Sequence, residues 1–412
     1  MNSLNHAGPL RRVLIVGDFA AINGGQAKVA IDSARLLADA GLEVIFFAAS
    51  GPVCAELSHP RIRTVCLGQH TLLENPSRLN AMMTGLWNEA ALRALREEMA
   101  KLSSADSVIH CHGWAKALSP SVGRAFAQTE VPVLYTMHEY FLACPNGGFF
   151  DFQRQEICTR RPLSTACLTT QCDARNPAHK AWRVVRSAVA RGPGRLPGGL
   201  RHIAYISQTQ LGAMRPYLPA DARLHSLPNP VAIGGGQVDA AGNDAFVFVG
   251  RLAPEKGGLL FARAAQEAGV RAVFVGDGPE AGAIRAANPS AEVVGWVSPD
   301  EVQEHLSKAR ALVFPSLWYE CQPLVPIEAL VRGVPVICGA WSAASEVVEA
   351  GVNGIICRDA KVATFAAALN EISGLGPFDA SHLAEDAAPE RHLDRLLDIY
   401  GQMLGGSVAP AA

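Results

Sequence analysis

An excess of charge of one sign is the first thing missing: 36 lysines and arginines stand against 38 aspartates and glutamates, a formal net charge of −2. No uniformly basic surface exists to hold nucleic acid, so phosphate binding must rest on a few local cations. Charged residues make up 18% of the chain and apolar residues 49%, which excludes a disordered polyelectrolyte. Cysteine is sparse, and ten in 412 residues cannot form a disulfide scaffold. Long apolar runs are also missing. Nothing approaches the roughly 18 to 20 residues that cross a bilayer, and the short run 13–16 behind Arg11 and Arg12 stops at Asp18, too early for a signal peptide. A soluble cytoplasmic protein is expected, with peripheral contact at the inner face of a membrane left open.

What is present is a repeating rhythm of buried strands and helices. The apolar run 13–16, a loop ending in Gly24-Gly25, a helical stretch over 26–40 and a second run over 44–48 make a βαβ unit. Further strands are expected over 107–110, 133–136 and 202–206, and a helix over 87–102. A glycine-rich stretch, 234–243, follows Pro228-Asn229-Pro230 and reads as a linker. The rhythm then restarts with strands over 246–249, 272–275, 292–294, 311–314, 335–337 and 354–356. At 412 residues the chain exceeds what one core usually supports. The expected fold class is α/β, two doubly wound Rossmann-like domains facing across a cleft. The expected division is 1–232, 233–389, and a C-terminal helix with its tail, 390–412, free to dock on either domain.

Ligands of open parallel sheets bind beyond the carboxyl ends of the strands, so the loops there carry the argument. Gly24 and Gly25 open the first helix, where a phosphate can approach the backbone or where the chain simply turns tightly. The dinucleotide pattern G-x-G-x-x-G is absent after the first strand, which disfavours a dehydrogenase. Arg251 and Lys256 lie five residues apart on a glycine-flanked loop and suit a diphosphate, one as a planar fork and one as a point charge. Glu320 and Glu328 bracket the start of a helix expected between Pro323 and Pro326. They can read hydroxyl groups, or Glu328 can serve only the helix dipole while Glu320 is solvated. Of the strand-end histidines His110, His112 and His138, the last has the most polar surroundings and is the candidate acid, base or hydrogen-bonding group.

Taken in order, strand-Gly250-Arg251-x4-Lys256-Gly257, Val275-Gly276-Asp277-Gly278-Pro279-Glu280, Gly295-Trp296-Val297, Pro315-Ser316, Glu320-x7-Glu328 and Gly351-x-Asn353-Gly354 form a series of weak motifs. Together they resemble the retaining nucleotide-sugar glycosyltransferases of the GT-B fold, family 4, in the form found in bacterial surface-polysaccharide synthesis. The resemblance implies that Arg251 and Lys256 grip the donor diphosphate without a divalent metal. It implies that Glu328 holds the ribose, that Glu320 lies beside the donor sugar, and that the amides of Gln322 and Leu324 contact sugar hydroxyls. Gly276 and Val297 would pack the base, His138 would face the C6 hydroxyl, and Gly25 would approach the phosphates. One departure stands out: Cys321-Gln322 replaces the family's frequent Phe-Gly, which places a side chain at the donor-sugar pocket.

The implied activity moves a sugar from a UDP- or GDP-linked donor to a glycan, lipid-linked in the favoured reading. A small acceptor such as a sugar phosphate, and a silent binding subunit, are the alternatives. No cofactor is required for that chemistry. Four cysteines, Cys144, Cys158, Cys167 and Cys172, crowd into an insert at about 141–180. Zinc thiolate ligation, with His179 able to replace one ligand, stands there beside reduced thiols, disulfides and an iron–sulfur centre. The stretch that follows, with Lys180, Arg183, Arg186 and Arg191 among apolar residues, reads either as a basic face for anionic lipid or as a solvated helix.

Overall fold

The computed structural model describes residues 10–231 and 234–405. The expected division at 232/233 and the tail from 406 onward lie outside the described residues. Fifteen strands run in chain order as β1 (Arg12–Phe19), β2 (Glu43–Ser50), β3 (Ile62–Cys66), β4 (Ser107–Cys111), β5 (Val133–Thr136), β6 (Phe150–Asp151), β7 (Glu156–Ile157), β8 (His202–Tyr205), β9 (Arg223–Ser226), β10 (Ala245–Val249), β11 (Arg271–Val275), β12 (Glu292–Gly295), β13 (Ala309–Phe314), β14 (Val336–Gly339) and β15 (Gly354–Cys357). They build a seven-stranded sheet, order β3-β2-β1-β4-β5-β8-β9, a six-stranded sheet, order β12-β11-β10-β13-β14-β15, and a small β6-β7 hairpin. Each sheet reverses direction of growth beside its first strand, which opens the crevice where such folds bind ligands.

The reason for two-sided burial is visible in β1. Leu14 and Val16 pack with Leu92 and Leu95 on one face, while Val13 and Ile15 pack with Ile31 and Leu37 on the other. In β10, Phe246 and Phe248 face one layer while Ala245 and Val247 face the other. Continuous apolar runs are what such sheets demand.

Two expectations need adjustment. The helix expected over 87–102 is shorter, Glu89–Met99, because the Asn88 side chain caps it by accepting the Ala91 N–H at 3.0 Å. The edge strands β3 and β9 had no counterpart in the sequence reading. Their residues are half-buried or exposed, and Arg63, Thr64, Arg223 and His225 interrupt the apolar pattern.

The C-terminal helix, Pro389–Met403, returns to the first domain. Leu396, Ile399 and Tyr400 join the core that holds Ile31 and Leu37. His392 ties it down through Ser33 Oγ at 3.2 Å and the Pro228 carbonyl at 2.9 Å. Among the described residues no helix is long and apolar enough to cross a membrane.

Candidate active site

The loop after β10 carries the two expected diphosphate ligands. Its short helical turn ends at Gly257, whose φ of +71° is left-handed and whose added Cβ would lie 2.1 Å from the Pro315 carbonyl oxygen. Only glycine fits there. The close approach brings Lys256 against the loop after β13, where its Nζ donates to Glu320 Oε1 at 2.7 Å. Arg251 pairs with Glu255, which is itself buried.

Glu320 is 8% exposed. Burial by itself would raise its pKa, but the Lys256 charge and the hydrogen bonds from Lys256 and Ser316 outweigh it and hold the carboxyl below its ordinary range. The Ser316 hydroxyl donates to the same oxygen at 2.7 Å. An ionised carboxylate is thus fixed beside a fixed cation.

The next helix runs Leu324–Val331 with Pro323 at its N-cap, as the two prolines demand. Glu328 therefore lies in the second turn rather than the first. Burial raises its pKa, while a hydrogen bond from Gln303 Nε2 to Oε2 at 3.1 Å works against that shift. The charge of Lys28 reaches Glu328 as well. Lys28 stands in the first turn of the 15-residue helix Gly25–Asp39, so the Gly24-Gly25 loop faces this carboxylate. Gly276 lies at the end of β11, where a Cβ would meet the Gly250 carbonyl oxygen at 2.0 Å, and it donates to Gly295 O at 2.8 Å. Val297 follows β12, half-buried.

Gln322 answers the departure noted in the sequence. Its Oε1 accepts the Asn229 N–H at 2.6 Å, so the side chain is spent on joining the two halves of the chain. Leu324 opens the helix, where the first amides have no intrahelical acceptor. A second crossing runs from Tyr140 Oη to the Tyr319 carbonyl at 3.1 Å. It brings the His138-Glu139-Tyr140 loop onto the Glu320 loop.

His138 belongs to a buried histidine chain. Its Nε2 lies 3.0 Å from His112 Nδ1, the His110 and His112 rings meet at a tilt with centroids 4.0 Å apart, and His110 bonds Tyr400 Oη and Thr136 Oγ1, each at 2.7 Å. Burial, then the charges of His392 and Lys116, lower His138 from its ordinary 6.5 to about 3. His138 is therefore neutral at physiological pH, a hydrogen-bonding group rather than a cation. His392 is lowered to about 4, again chiefly by burial. Since the unfolded chain binds protons at these groups first, their stability contribution is complete above pH 6.5 and is lost as pH falls toward 4. At pH 5 each costs ~2 kcal/mol relative to pH 7 and above. Urea unfolding at both pH values should show that loss, reduced in His138→Asn; a flat profile would contradict it.

The sequence reading passed over several supporting residues. Asp18 is buried and accepts the N–H groups of Ala117, Leu118 and Lys116 at 2.7, 2.9 and 3.1 Å, clamping the loop behind β4. Gln26 Nε2 donates to the His112 carbonyl at 2.6 Å, across the methylene of Gly113. A lone buried-strand aspartate was the signal that could have pointed to the first.

All ten cysteines are free thiols, and among the described residues no group of three or more His, Cys, Asp or Glu side chains is placed to hold a metal ion. Lys180 stands among the thiols of the insert. It is 5% exposed, and its ammonium donates to Cys172 Sγ at 3.0 Å and lies 3.8 Å from Cys167 Sγ. Cys158 meets Arg160 at 3.5 Å, and Cys144 is buried, its thiol pushed up by that burial. His179, the alternative ligand, spends Nδ1 on Asp173 at 2.9 Å. A cation among the sulfurs adds an electrostatic cost to placing a second one there.

Two facing Rossmann-like sheets, with paired cations and carboxylates on the loops between them, define a two-domain α/β protein of the GT-B architecture. Residues 24–230 match the family model described as glycosyl transferase 4-like domain, and residues 243–374 match that described as glycosyl transferases group 1. The chain therefore belongs to the glycosyltransferases of the GT-B fold. It is 40% identical over 94 residues to a protein named as the teichuronic acid biosynthesis glycosyltransferase TuaC of Bacillus subtilis, covering 22% of this chain and 23% of that one. It is 33% identical over 110 residues to a GDP-mannose-dependent alpha-mannosyltransferase of Corynebacterium glutamicum, 26% of each chain. The matches thus span about a quarter of either relative's length. Among solved structures, Anabaena HepE in complex with UDP and glucose is similar with a TM-score of 0.62 and 14% identity, over 95% of this chain and all of that one, a likeness of fold.

Proposed function

We propose that the protein transfers a sugar from a UDP- or GDP-linked donor to a lipid-linked glycan, with retention of configuration, in cell-surface polysaccharide assembly at the inner face of a membrane. The observation that carries the reading is the Lys256–Glu320 ion pair, 2.7 Å long, with Arg251 on the same loop as Lys256. Breaking a glycosyl–phosphate bond builds negative charge on the diphosphate and positive charge at the anomeric carbon. Lys256 and Arg251 stabilise the first, and ionised Glu320 stabilises the second, more in the transition state than in the ground state. The cation leaves no role for a divalent metal at the diphosphate. Glu320 acts as a positioning and electrostatic group, with the acceptor hydroxyl entering on the face the diphosphate leaves. Neutral His138 hydrogen-bonds the donor sugar at C6, and the amides of Gln322 and Leu324 hold its other hydroxyls.

Glu328, in this reading, accepts from the ribose hydroxyls and binds ground and transition states alike. Glu328→Ala should then raise the donor KM at least tenfold with a smaller change in kcat. Nucleoside diphosphate release from a panel of UDP- and GDP-sugars measures it, and an unchanged KM would refute the assignment. The TuaC match supports the cell-surface setting, and the mannosyltransferase and HepE names support nucleotide-linked donors.

A further inference from the structure

A pocket of about 750 Å³ opens in the first domain. Its lining includes Arg78, Lys116, Arg175, Arg183 and Arg186 and contains no aspartate or glutamate. Lys116 connects it to the site, since its Nζ lies 3.6 Å from Glu139, the neighbour of His138. The helix Pro177–Arg191, read from sequence as a basic outer face or a solvated helix, turns Arg186 inward instead.

Arg186 is the anomaly. It is 4% exposed, yet no carboxylate bonds it; among the described residues its guanidinium makes one hydrogen bond, to the Ala115 carbonyl at 2.8 Å. It is otherwise packed over aromatic rings, with centroids 4.8 Å away at Phe141, 5.1 Å at Trp182 and 5.4 Å at Trp114. Arg183, by contrast, is paired with Asp173 at 3.0 Å. A buried cation is retained at a cost unless an anion meets it. A guanidinium has five donors, and a phosphate accepts two of them in parallel.

The rim supplies a second requirement. Leu73 and Met82 line the pocket while 62% and 49% exposed, and Leu79 and Met83 beside them are 70% and 61% exposed. Exposed apolar side chains in the lining of a cationic pocket, with two more on the adjoining helix surface, complement a molecule that is anionic at one end and apolar along its length.

We propose that this pocket binds the acceptor as an isoprenoid-type lipid diphosphate, the phosphates on Arg186 and the lipid chain on the Leu73–Met82 rim. The inference rests on the reading of the protein as a transferase to a lipid-linked glycan and gives that acceptor its site and its chemistry. The test is calorimetric titration of the full chain, saturated with UDP or GDP so that the donor diphosphate site is filled. Farnesyl diphosphate should bind at least tenfold more tightly than inorganic diphosphate or farnesol. Arg186→Gln should weaken it at least tenfold, and the surface variants Arg78→Ala and Met82→Glu, which spare the core, should weaken it severalfold. Nucleotide binding should be unchanged in all three. Farnesyl diphosphate binding no tighter than inorganic diphosphate, or unchanged in every variant, overturns the proposal while nucleotide binding keeps the transferase reading intact. Binding of phosphatidylglycerol vesicles in place of farnesyl diphosphate makes the face a membrane surface and overturns it equally. Absence of nucleotide binding overturns the transferase reading instead.

Discussion

Lys256→Ala should lower kcat at least ~100-fold, the scale on which one fixed electrostatic donor at a transition state is lost. The same change has a second effect that follows from burial. Glu320, 8% exposed, would keep the Ser316 hydroxyl as its hydrogen-bond partner. Removing one member of a buried ion pair typically costs ~3–5 kcal/mol, because the other charge is left uncompensated. The two losses separate in the double variant Lys256→Ala/Glu320→Gln, where no buried charge remains. Stability should largely return and activity should not. Thermal unfolding and steady-state rates on the parent and the two variants check this, and Lys256→Ala with kcat within threefold of the parent would contradict it.

Gly257→Ala should be nearly as damaging, for a steric reason. A left-handed conformation costs a non-glycine residue ~1–2 kcal/mol, and here the new Cβ would also lie 2.1 Å from a backbone oxygen that cannot swing aside. The loop bearing Lys256 must then move away from the end of β13. Since the Lys256–Glu320 contact is set by that approach, kcat should fall at least tenfold along with a Tm lower by several degrees. Gly258→Ala is the control. Its Cβ would meet only the tip of Ile284, at 3.1 Å, so both effects should be much smaller. Equal behaviour of the two variants would mean that the Gly257 approach does not position the site.

Much of this was legible in the sequence. Strands buried on both faces must be apolar throughout, so β1 and β10 announce themselves, and the ligand-binding loops follow from their ends. Edge strands carry no such demand. In β9, Arg223 and Ser226 are exposed and Leu224 and His225 half-buried, and pairing with β8 alone defines the strand. The candidate site residues follow from the ends of those strands, but their partners do not. Tyr400 reaches His110 across 290 positions, and Gln322 reaches Asn229 across 93. No spacing rule links residues so far apart. The cysteines differ again: their closeness in sequence is visible, but the buried ammonium of Lys180 among them is not.

The central claim is that fixed side-chain cations, Arg251 and Lys256, hold the donor diphosphate. Titrating the protein with UDP and with GDP, in EDTA and in magnesium, tests it most directly. One of the two nucleotides should bind with one-to-one stoichiometry and with the same affinity in both buffers. Binding that disappears in EDTA, or fails for both nucleotides, would contradict the account.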